Sequence, residues 1–291
     1  MTKTQSLRLL ATLFKFITGK PKYILLIFLV GGLWFTYESL VARPAMSYMG
    51  LPKVESGIGT SGWSHILRNE AYLLEYSEKL ANPLWVTYKV TKQRFKSGKR
   101  PSGFKTDWRS SAGISHSDYT GSGYDRGHMA PNYLIASRYG KAAQQETFLM
   151  TNITPQKPTL NRKSWQRLEE IIGNDFSEWQ GDFWVVTGPI FAKNPKMIKQ
   201  TRVAIPKAFY KILIKPTSPG QPAIALAFIF PQNAKANVDL MTFVTSIDEI
   251  EAQTGIDFFS KFEDDFEDTL EAAKMPEAWR LEELSNRPSR Y

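Results

Sequence analysis

The sequence contains no cysteine and only three histidines, His65, His116 and His128, among its 291 residues. The absence of cysteine excludes disulfide scaffolds, iron–sulfur clusters, thiolate zinc sites and cysteine nucleophiles. Three scattered histidines also argue against a metal site built from several imidazoles. Any catalysis must therefore use carboxylates, amides, hydroxyls, basic side chains and an isolated imidazole.

Acidic residues are scarce outside the C-terminal end, and the formal net charge of the chain is +9. Residues 1–22 carry +5 with no acid, and residues 248–291 carry −8 from 13 acids and 5 bases. Subtracting both from the total leaves +12 for residues 23–247. A basic middle suits a polyanionic partner, either nucleic acid or an anionic membrane surface, although ordinary solubilising charge explains it equally well.

One long apolar run, YILLIFLVGGLWFTY at residues 23–37, follows the basic segment 1–22. Extended to residue 42, it approaches the roughly 20 residues that a transmembrane helix needs, and the preceding positive charges favour a cytosolic N-terminus. We therefore predict a signal anchor at 23–42 that leaves the rest of the chain outside the cytosol, on the periplasmic side of a bacterial membrane. A cleaved signal peptide, which would release a secreted protein, and a mitochondrial presequence are the alternatives.

Composition beyond the apolar run predicts a tether at 43–60, a folded domain at 61–261 and an acidic helical tail at 262–291. Helical patterns cover residues 62–81, 160–172 (ended by Gly173), 246–254 and 262–285. Patterns typical of strands cover residues 84–91, 148–155, 183–191, 207–215 and 223–230, and a polar, glycine-rich loop covers 97–123. Strands outnumber helices without regular alternation, which predicts an α+β domain with a largely antiparallel central sheet flanked by helices.

The stretch YDRGHMAP at residues 124–131 places an acid, a guanidinium and an imidazole within four residues. The imidazole of His128 is suited to removing a proton from water, and the planar cation of Arg126 is suited to binding phosphate. Gly127 admits a backbone geometry that a side chain would block. A hydrogen-bonded core histidine beside a surface Asp–Arg pair is the structural alternative. In either case we expect Asp125 to be structural, fixing Arg126 or the turn.

A second group of candidates extends from Asn152 to Glu169. Asn161 opens a predicted helix, where it could equally be a helix cap, and Glu169 follows eight residues later. Eight residues advance a helix by about 12 Å and turn it by about 80°, so the two side chains share one broad face but chelate a single ion poorly. If Asn161 binds a metal, Glu169 would hold one of its waters, and such an oxygen-rich site suits Mg²⁺, with Mn²⁺ as a substitute.

At these residues the sequence resembles the DNA/RNA non-specific endonucleases of the ββα-metal class, the group of Serratia nuclease and endonuclease G. The resemblance rests on YDRGHMAP (124–131), TNITPQ (151–156) followed by LN (160–161), and WQRLE (165–169). Weaker similarities extend it over roughly residues 84–260. It implies a ββα-metal nuclease fold and a Mg²⁺-dependent endonuclease that hydrolyses phosphodiester bonds of DNA and RNA to 5′-phosphate products.

The resemblance also implies roles for individual residues. His128 matches the general base that activates water, Asn161 matches the protein ligand of magnesium, and Glu169 matches the acid that orients a metal-bound water. Because a nuclease without sequence preference is toxic near a genome, this activity agrees with the predicted export of the domain.

Four further residues match positions around that site. Arg126 matches an arginine that stabilises charge on the phosphate, and Asn152 matches a supporting position with a less defined role. A basic residue that precedes the FKTD-like element in the family corresponds to either Arg100 or Arg109, so both stay candidates for binding nucleic acid.

Two other functions compete with the nuclease interpretation. A membrane-tethered nucleic-acid-binding protein without catalysis would use the same basic middle, but pure binding needs neither His128, Asn161 nor Glu169. A phosphodiesterase for small or lipid-linked substrates would need the site but would not cleave long polymers. The oligomeric state is open, with a homodimer suggested by the family resemblance.

Overall fold

The computed structural model describes residues 21–55, 62–92, 94–96 and 98–289. Most of the basic segment 1–22 and residues 56–60 of the predicted tether lie outside these residues. The chain divides into two compact units, Met1–Ala45 and Met46–Tyr291.

The described part of the first unit contains an apolar helix, α1 (Pro21–Tyr37), continued by a π-helical turn at Glu38–Ala42. Among the described residues, one helical stretch, Lys22–Met46, is long and apolar enough to cross a membrane. Signal sequences near an N-terminus share this length and composition, so the anchor and the cleaved signal both stay predictions.

A seven-stranded antiparallel sheet forms the centre of the second unit, with the strand order β10–β9–β8–β7–β4–β3–β2. Its strands are β2 (Ser64–Arg68), β3 (Tyr72–Ser77), β4 (Asn82–Val90), β7 (Phe183–Ile190), β8 (Ala208–Lys215), β9 (Ile224–Pro231) and β10 (Val244–Thr245). Two short antiparallel pairs accompany it: β1 (Lys53–Val54) with β11 (Ile256–Asp257), and β5 (Asp125–His128) with β6 (Ile153–Gln156). The prediction of a largely antiparallel sheet is confirmed.

The helical prediction for residues 62–81 is wrong, because this segment is the β2–β3 hairpin. Strand β3 is buried on both faces: Tyr72 and Leu74 pack into one core cluster, whereas Leu73 packs into the other. A strand with two buried faces shows a continuous apolar run instead of alternation, and such a run resembles a buried helix in sequence.

Helices cover both faces of the sheet. One face packs against α2 (Asn132–Glu146) and against the helical segment 160–179, which contains α3 (Gln166–Ile171) and α4 (Ser177–Trp179). The other face packs against α5 (Ile247–Thr254) and α6 (Asp264–Ala272). Sequence patterns missed α2, where Gly140 interrupts the helical geometry with a φ of 86°.

The helix that begins at Leu160 continues beyond its expected end at Gly173. A π-helical turn at Ile172–Phe176 carries the chain into α4. The Gly173 carbonyl accepts hydrogen bonds from Arg94 and Arg138, so tertiary donors satisfy it inside the helix. Together with β5 and β6, this segment forms the ββα unit that the family resemblance implies.

Both flanks of the expected domain 61–261 take part in the packing of the second unit. In the segment expected to be a tether, Tyr48, Met49 and Leu51 pack on one core cluster, and β1 pairs with β11. In the segment expected to be an acidic helical tail, helix α6 ends at Ala272, and short 3₁₀ turns follow. These turns place Trp279, Leu281 and Leu284 in the main core, so apolar burial overrides the helical pattern there.

Candidate active site

The β5–β6 hairpin presents the DRGH residues at the centre of the site. Gly127 pairs with Thr154 in this hairpin, and the side chain of Gln156 lies directly over Gly127. A Cβ atom on Gly127 would come within 2.1 Å of Gln156 Oε1. Glycine is therefore required at this position because of close packing.

His128 lies between two aromatic rings, with ring centroids 5.4 Å from Phe104 and 5.1 Å from Phe148. Its Nε2 has no hydrogen-bond partner among the residues that the structure describes. Burial is the largest cause that lowers the pKa of His128 to about 3, and the charge of Arg100 is the second. A hydrogen bond with the Arg126 backbone raises this pKa by a smaller amount. The imidazole is therefore neutral at physiological pH and able to accept a proton.

Asn152 does not line the cleft, but its side chain supports the backbone next to His128. Its Oδ1 accepts a hydrogen bond from the Ala130 amide at 2.8 Å, and its Nδ2 donates to the Ala130 and Thr147 carbonyls, each at 3.0 Å. The side chain is fully buried. Asn152 thus fixes the backbone that follows His128, which gives its supporting position a definite physical role.

The long polar loop 97–123 positions Arg126. The Arg126 Nη2 donates to the His116 carbonyl at 2.6 Å and to Thr120 Oγ1 at 3.1 Å. The guanidinium also lies over the rings of Phe104 and Tyr119, at 5.8 and 5.7 Å from their centroids. These contacts hold the cation in one orientation beside His128.

Asp125 is structural, as expected, but its hydrogen bonds go to Asn161 and Arg162, whereas its effect on Arg126 is electrostatic. Asn161 Nδ2 donates to Asp125 Oδ2 at 3.0 Å, and Arg162 forms two hydrogen bonds of 2.7 Å with the same carboxylate. Burial raises the pKa of Asp125, but the hydrogen bonds from Arg162 and Asn161 outweigh it and keep the pKa below its usual range. Because the amide nitrogen of Asn161 donates its hydrogen bond to this ionised carboxylate, the amide oxygen of Asn161 is the atom left to bind a metal ion.

Glu169 faces a buried lysine that the sequence patterns did not single out. Lys211 on β8 is 0% exposed, its Nζ lies 3.7 Å from Glu169 Oε1, and it also lies 4.2 Å from the ring centroid of Trp165. Burial raises the pKa of Glu169, and Lys211 opposes that shift. The signal that could have identified Lys211 is a charge in the middle of the apolar strand AFYKILIK, on the same face as Phe209 and Leu213.

A cleft of about 580 Å³ brings together Arg100, Arg126, His128, Asn161 and Glu169. Arg109, the other candidate for the basic role, lies outside the cleft lining. Its guanidinium pairs with Asp107 at 2.7 Å and donates to the Arg68 carbonyl and to Asn69. These contacts hold the Arg109 guanidinium within the fold. Of the two candidate arginines, Arg100 is therefore the one that faces the cleft.

The oxygen donors of the cleft fit a hard divalent cation. The amide oxygen of Asn161 and the carboxylate of Glu169 are ligand types that Mg²⁺ prefers, and the open cleft has room for the waters that Mg²⁺ retains. The Glu169 Oε1 atom is buried without a hydrogen-bond partner in the described part of the chain. The same oxygen lies 3.7 Å from Lys211 Nζ, whose charge favours the ionised carboxylate that can hold water beside such a cation.

The family model described as DNA/RNA non-specific endonuclease matches residues 52–265. The chain belongs to this family. The nuclease of Serratia marcescens is 33% identical over 230 residues, covering 74% of this chain and 83% of that protein. Human mitochondrial endonuclease G is 30% identical, covering 69% of this chain and 71% of that protein.

The fold agrees with that assignment. A chain in a crystal structure of an EndoG/EndoGI complex superposes with a TM-score of 0.63 at 24% identity, covering 71% of this chain and 90% of that chain. Family membership makes this protein a nuclease, a phosphodiester hydrolase that acts on nucleic acid.

Proposed function

We propose that this protein is a Mg²⁺-dependent, sugar-non-specific endonuclease that cleaves DNA and RNA to 5′-phosphate products, with His128 as its general base. The observation that carries the proposal is the convergence, in one cleft, of an oriented arginine, an amide–carboxylate pair and a neutral imidazole whose Nε2 has no hydrogen-bond partner among the described residues. A nucleic-acid-binding protein without catalysis would need only the positive charge.

His128 removes a proton from the attacking water. Its flanking rings, Phe104 and Phe148, keep the imidazole desolvated and fix its orientation. The imidazole held in this way is neutral and can accept the proton as the water attacks phosphorus, and the negative charge of a bound phosphate would oppose the lowering of its pKa by burial.

Arg126 stabilises the negative charge that develops on the phosphate. Because the loop 97–123 already fixes its guanidinium, little reorganisation accompanies the reaction. Arg100 supplies a second positive charge at the cleft, where it contacts the phosphate backbone of the substrate.

Asn161 would hold Mg²⁺, or Mn²⁺ in its place, through its amide oxygen, while Glu169 accepts hydrogen bonds from a neighbouring water. When bound, the cation supplies Lewis-acid stabilisation of the phosphate and of the departing 3′ oxygen. Asp125 and Arg162 keep the Asn161 amide in the required orientation.

We also propose that the nuclease domain is anchored on the outer side of a cytosolic membrane. The length and apolar character of Lys22–Met46 and the five bases in residues 1–22 support this placement. Protease protection in spheroplasts tests it: an anchored domain is digested from outside, remains with the membrane fraction and retains its N-terminus. The homodimer stays a prediction, which sedimentation in detergent can measure.

The activity is tested with the full chain in detergent, on a circular plasmid and on RNA. Mg²⁺ should support degradation of both polymers, EDTA should abolish it, and His128→Ala should nearly abolish it. Raising the salt concentration should increase KM steeply, because polymer binding releases counterions. Binding without cleavage in Mg²⁺ or Mn²⁺ would establish a tethered binding protein, and cleavage restricted to small esters would establish a phosphodiesterase.

A further inference from the structure

A cluster of carboxylates lies on the face of the sheet opposite to the cleft, where α5 and α6 pack on one core cluster. Asp248 and Glu251 lie on α5, Asp257 lies on β11, and Glu267 and Glu271 lie on α6. Each of these five groups acts electrostatically on at least one of the others. The active site described above uses none of them.

Three of the carboxylates are close enough to share one ion. One ligand oxygen each from Asp248, Glu251 and Glu271 lies within 4.8 Å of the other two. Oxygens bound to Ca²⁺ at about 2.4 Å can be at most about 4.8 Å apart when they lie on opposite sides of the ion. The spacing of the three oxygens therefore matches a single coordination sphere.

Glu271 gives independent reason to expect a ligand. Its side chain is only 6% exposed, and its Oε1 has no hydrogen-bond partner among the described residues. Burying a carboxylate oxygen without a partner is costly, and facing other carboxylates increases that cost. Burial and the neighbouring acids accordingly raise the pKa of Glu271 to about 9 and that of Glu251 to about 7.

Lys53 is the basic side chain beside this cluster, and it is already engaged. Its Nζ lies 3.3 Å from Asp257, at the β1–β11 pair. Lys53 therefore does not neutralise the buried end of the cluster at Glu271, where the charge has to be neutralised by a proton or by a bound cation.

We propose that Asp248, Glu251 and Glu271 bind one Ca²⁺ ion that joins α5 to α6. Calcium suits the site better than magnesium because it accepts irregular sets of carboxylate and water oxygens, whereas magnesium demands near-ideal octahedral geometry. The ion stabilises the packing of α6, which leads into the segment containing Trp279. This site is separate from the nuclease cleft and does not depend on the function proposed for it.

The test measures thermal unfolding of the full chain in detergent at pH 7, after EDTA treatment and with increasing Ca²⁺. All variants carry Asn161→Ala, so that metal in the cleft does not contribute. At about one hundred times the dissociation constant, Ca²⁺ should raise the Tm on the order of 5 °C. Adding Glu271→Gln should remove this rise while lowering the cation-free Tm little, because the raised pKa of Glu271 keeps its carboxyl neutral at pH 7 without the cation, and a glutamine is neutral as well.

Asp265→Asn is the matched control, since it removes one negative charge from an exposed position of the same helix, and it should retain the full Ca²⁺ response. Equilibrium dialysis with radioactive calcium should find one ion per chain in the Asn161→Ala protein, and at least tenfold weaker binding once Glu271→Gln is added. If a proton neutralises Glu271 and no Ca²⁺ binds, the Tm will not change when Ca²⁺ is added, and this result overturns the proposal. An equal Tm rise in the Glu271→Gln variant also overturns it.

Discussion

At the scale of single residues, some of the buried polar atoms without a hydrogen bond in the described part of the chain belong to side chains that line the cleft. Nε2 of His128 is one of them, and Oε1 of Glu169, which lies 3.7 Å from Lys211 Nζ, is another. Native proteins satisfy most buried polar groups, so His128 and Glu169 are suited to contact a substrate, water or ion. The arrangement makes two predictions at this scale.

Replacing His128 by alanine removes the proton acceptor and should lower kcat by a factor of about 10² to 10⁴. His116→Ala is the matched control, because Arg126 uses the backbone carbonyl of His116, which this substitution retains. Steady-state cleavage of a fluorescent duplex, together with circular dichroism of both variants, measures the effect. Equal losses in the two variants would count against a specific role for His128.

Replacing Lys211 by methionine removes the charge that lowers the pKa of Glu169, so this pKa should rise further. A larger fraction of Glu169 is then protonated at pH 7 and cannot orient water, and activity should return as the pH is raised toward 9. The acidic limb of the rate profile should move up by about one pH unit or more.

Lys215→Met is the control, since Lys215 lies at the end of the same strand and contacts Gln180. It should leave the pH profile unchanged. A uniform loss of activity in Lys211→Met at all pH values would show that Lys211 acts only in packing.

At the scale of elements, the β5–β6 hairpin determines where the imidazole lies. Arg126 pairs with Pro155 and His128 pairs with Ile153, while Gln156 packs over Gly127. The hairpin and the π-helical turn at Leu160–Trp165 thus bring His128 and Asn161 to one cleft. Turns of this kind are frequent at functional sites.

Gly127→Ala should push the Gln156 side chain away and destabilise the protein by about 1–3 kcal/mol. Activity should also fall, because the displaced strand carries His128. Gly103→Ala is the control: a Cβ there meets no atom within 4 Å, and its effect should stay within about 0.5 kcal/mol. Denaturant unfolding measures both, and shortening Gln156 to alanine should restore part of the stability lost in Gly127→Ala.

At the scale of the whole molecule, the C-terminal segment completes the core that carries the site. The Trp279 ring packs edge-on against Phe176 and Phe183, with centroids 5.3 and 5.1 Å away. Phe176 belongs to the helical segment of Asn161, and Phe183 begins β7. Deleting residues 262–291 should therefore impair folding.

Trp279→Ala should cost about 3–5 kcal/mol, because a large buried side chain leaves a cavity. Trp179→Ala is the matched control: this side chain is 37% exposed, and its loss should cost much less. Thermal unfolding of the full chain compares the two variants. Similar losses would contradict the structural role of the C-terminal segment.

Four of the seven strands of the central sheet could be predicted from sequence, and the structure brings five of the candidate site residues to one cleft. The strands at 84–91, 183–191, 207–215 and 223–230 were each located to within two residues at both ends. The hairpin at 62–81 and helix α2 could not be predicted, because two buried faces conceal the strand period and a glycine interrupts the helix. Local patterns also could not show that Arg109 pairs with Asp107 whereas Arg100 faces the cleft.

The sequence by itself determined the family and the candidate reactive groups, because short motifs preserve the residue types that the chemistry needs. Only the tertiary structure decided which groups meet. It placed Lys211 behind Glu169, Asp125 behind Asn161, and Trp279 in the core. These contacts join residues 36 to more than 90 positions apart, and the burial that sets their pKa values and packing energies exists only once the chain has folded.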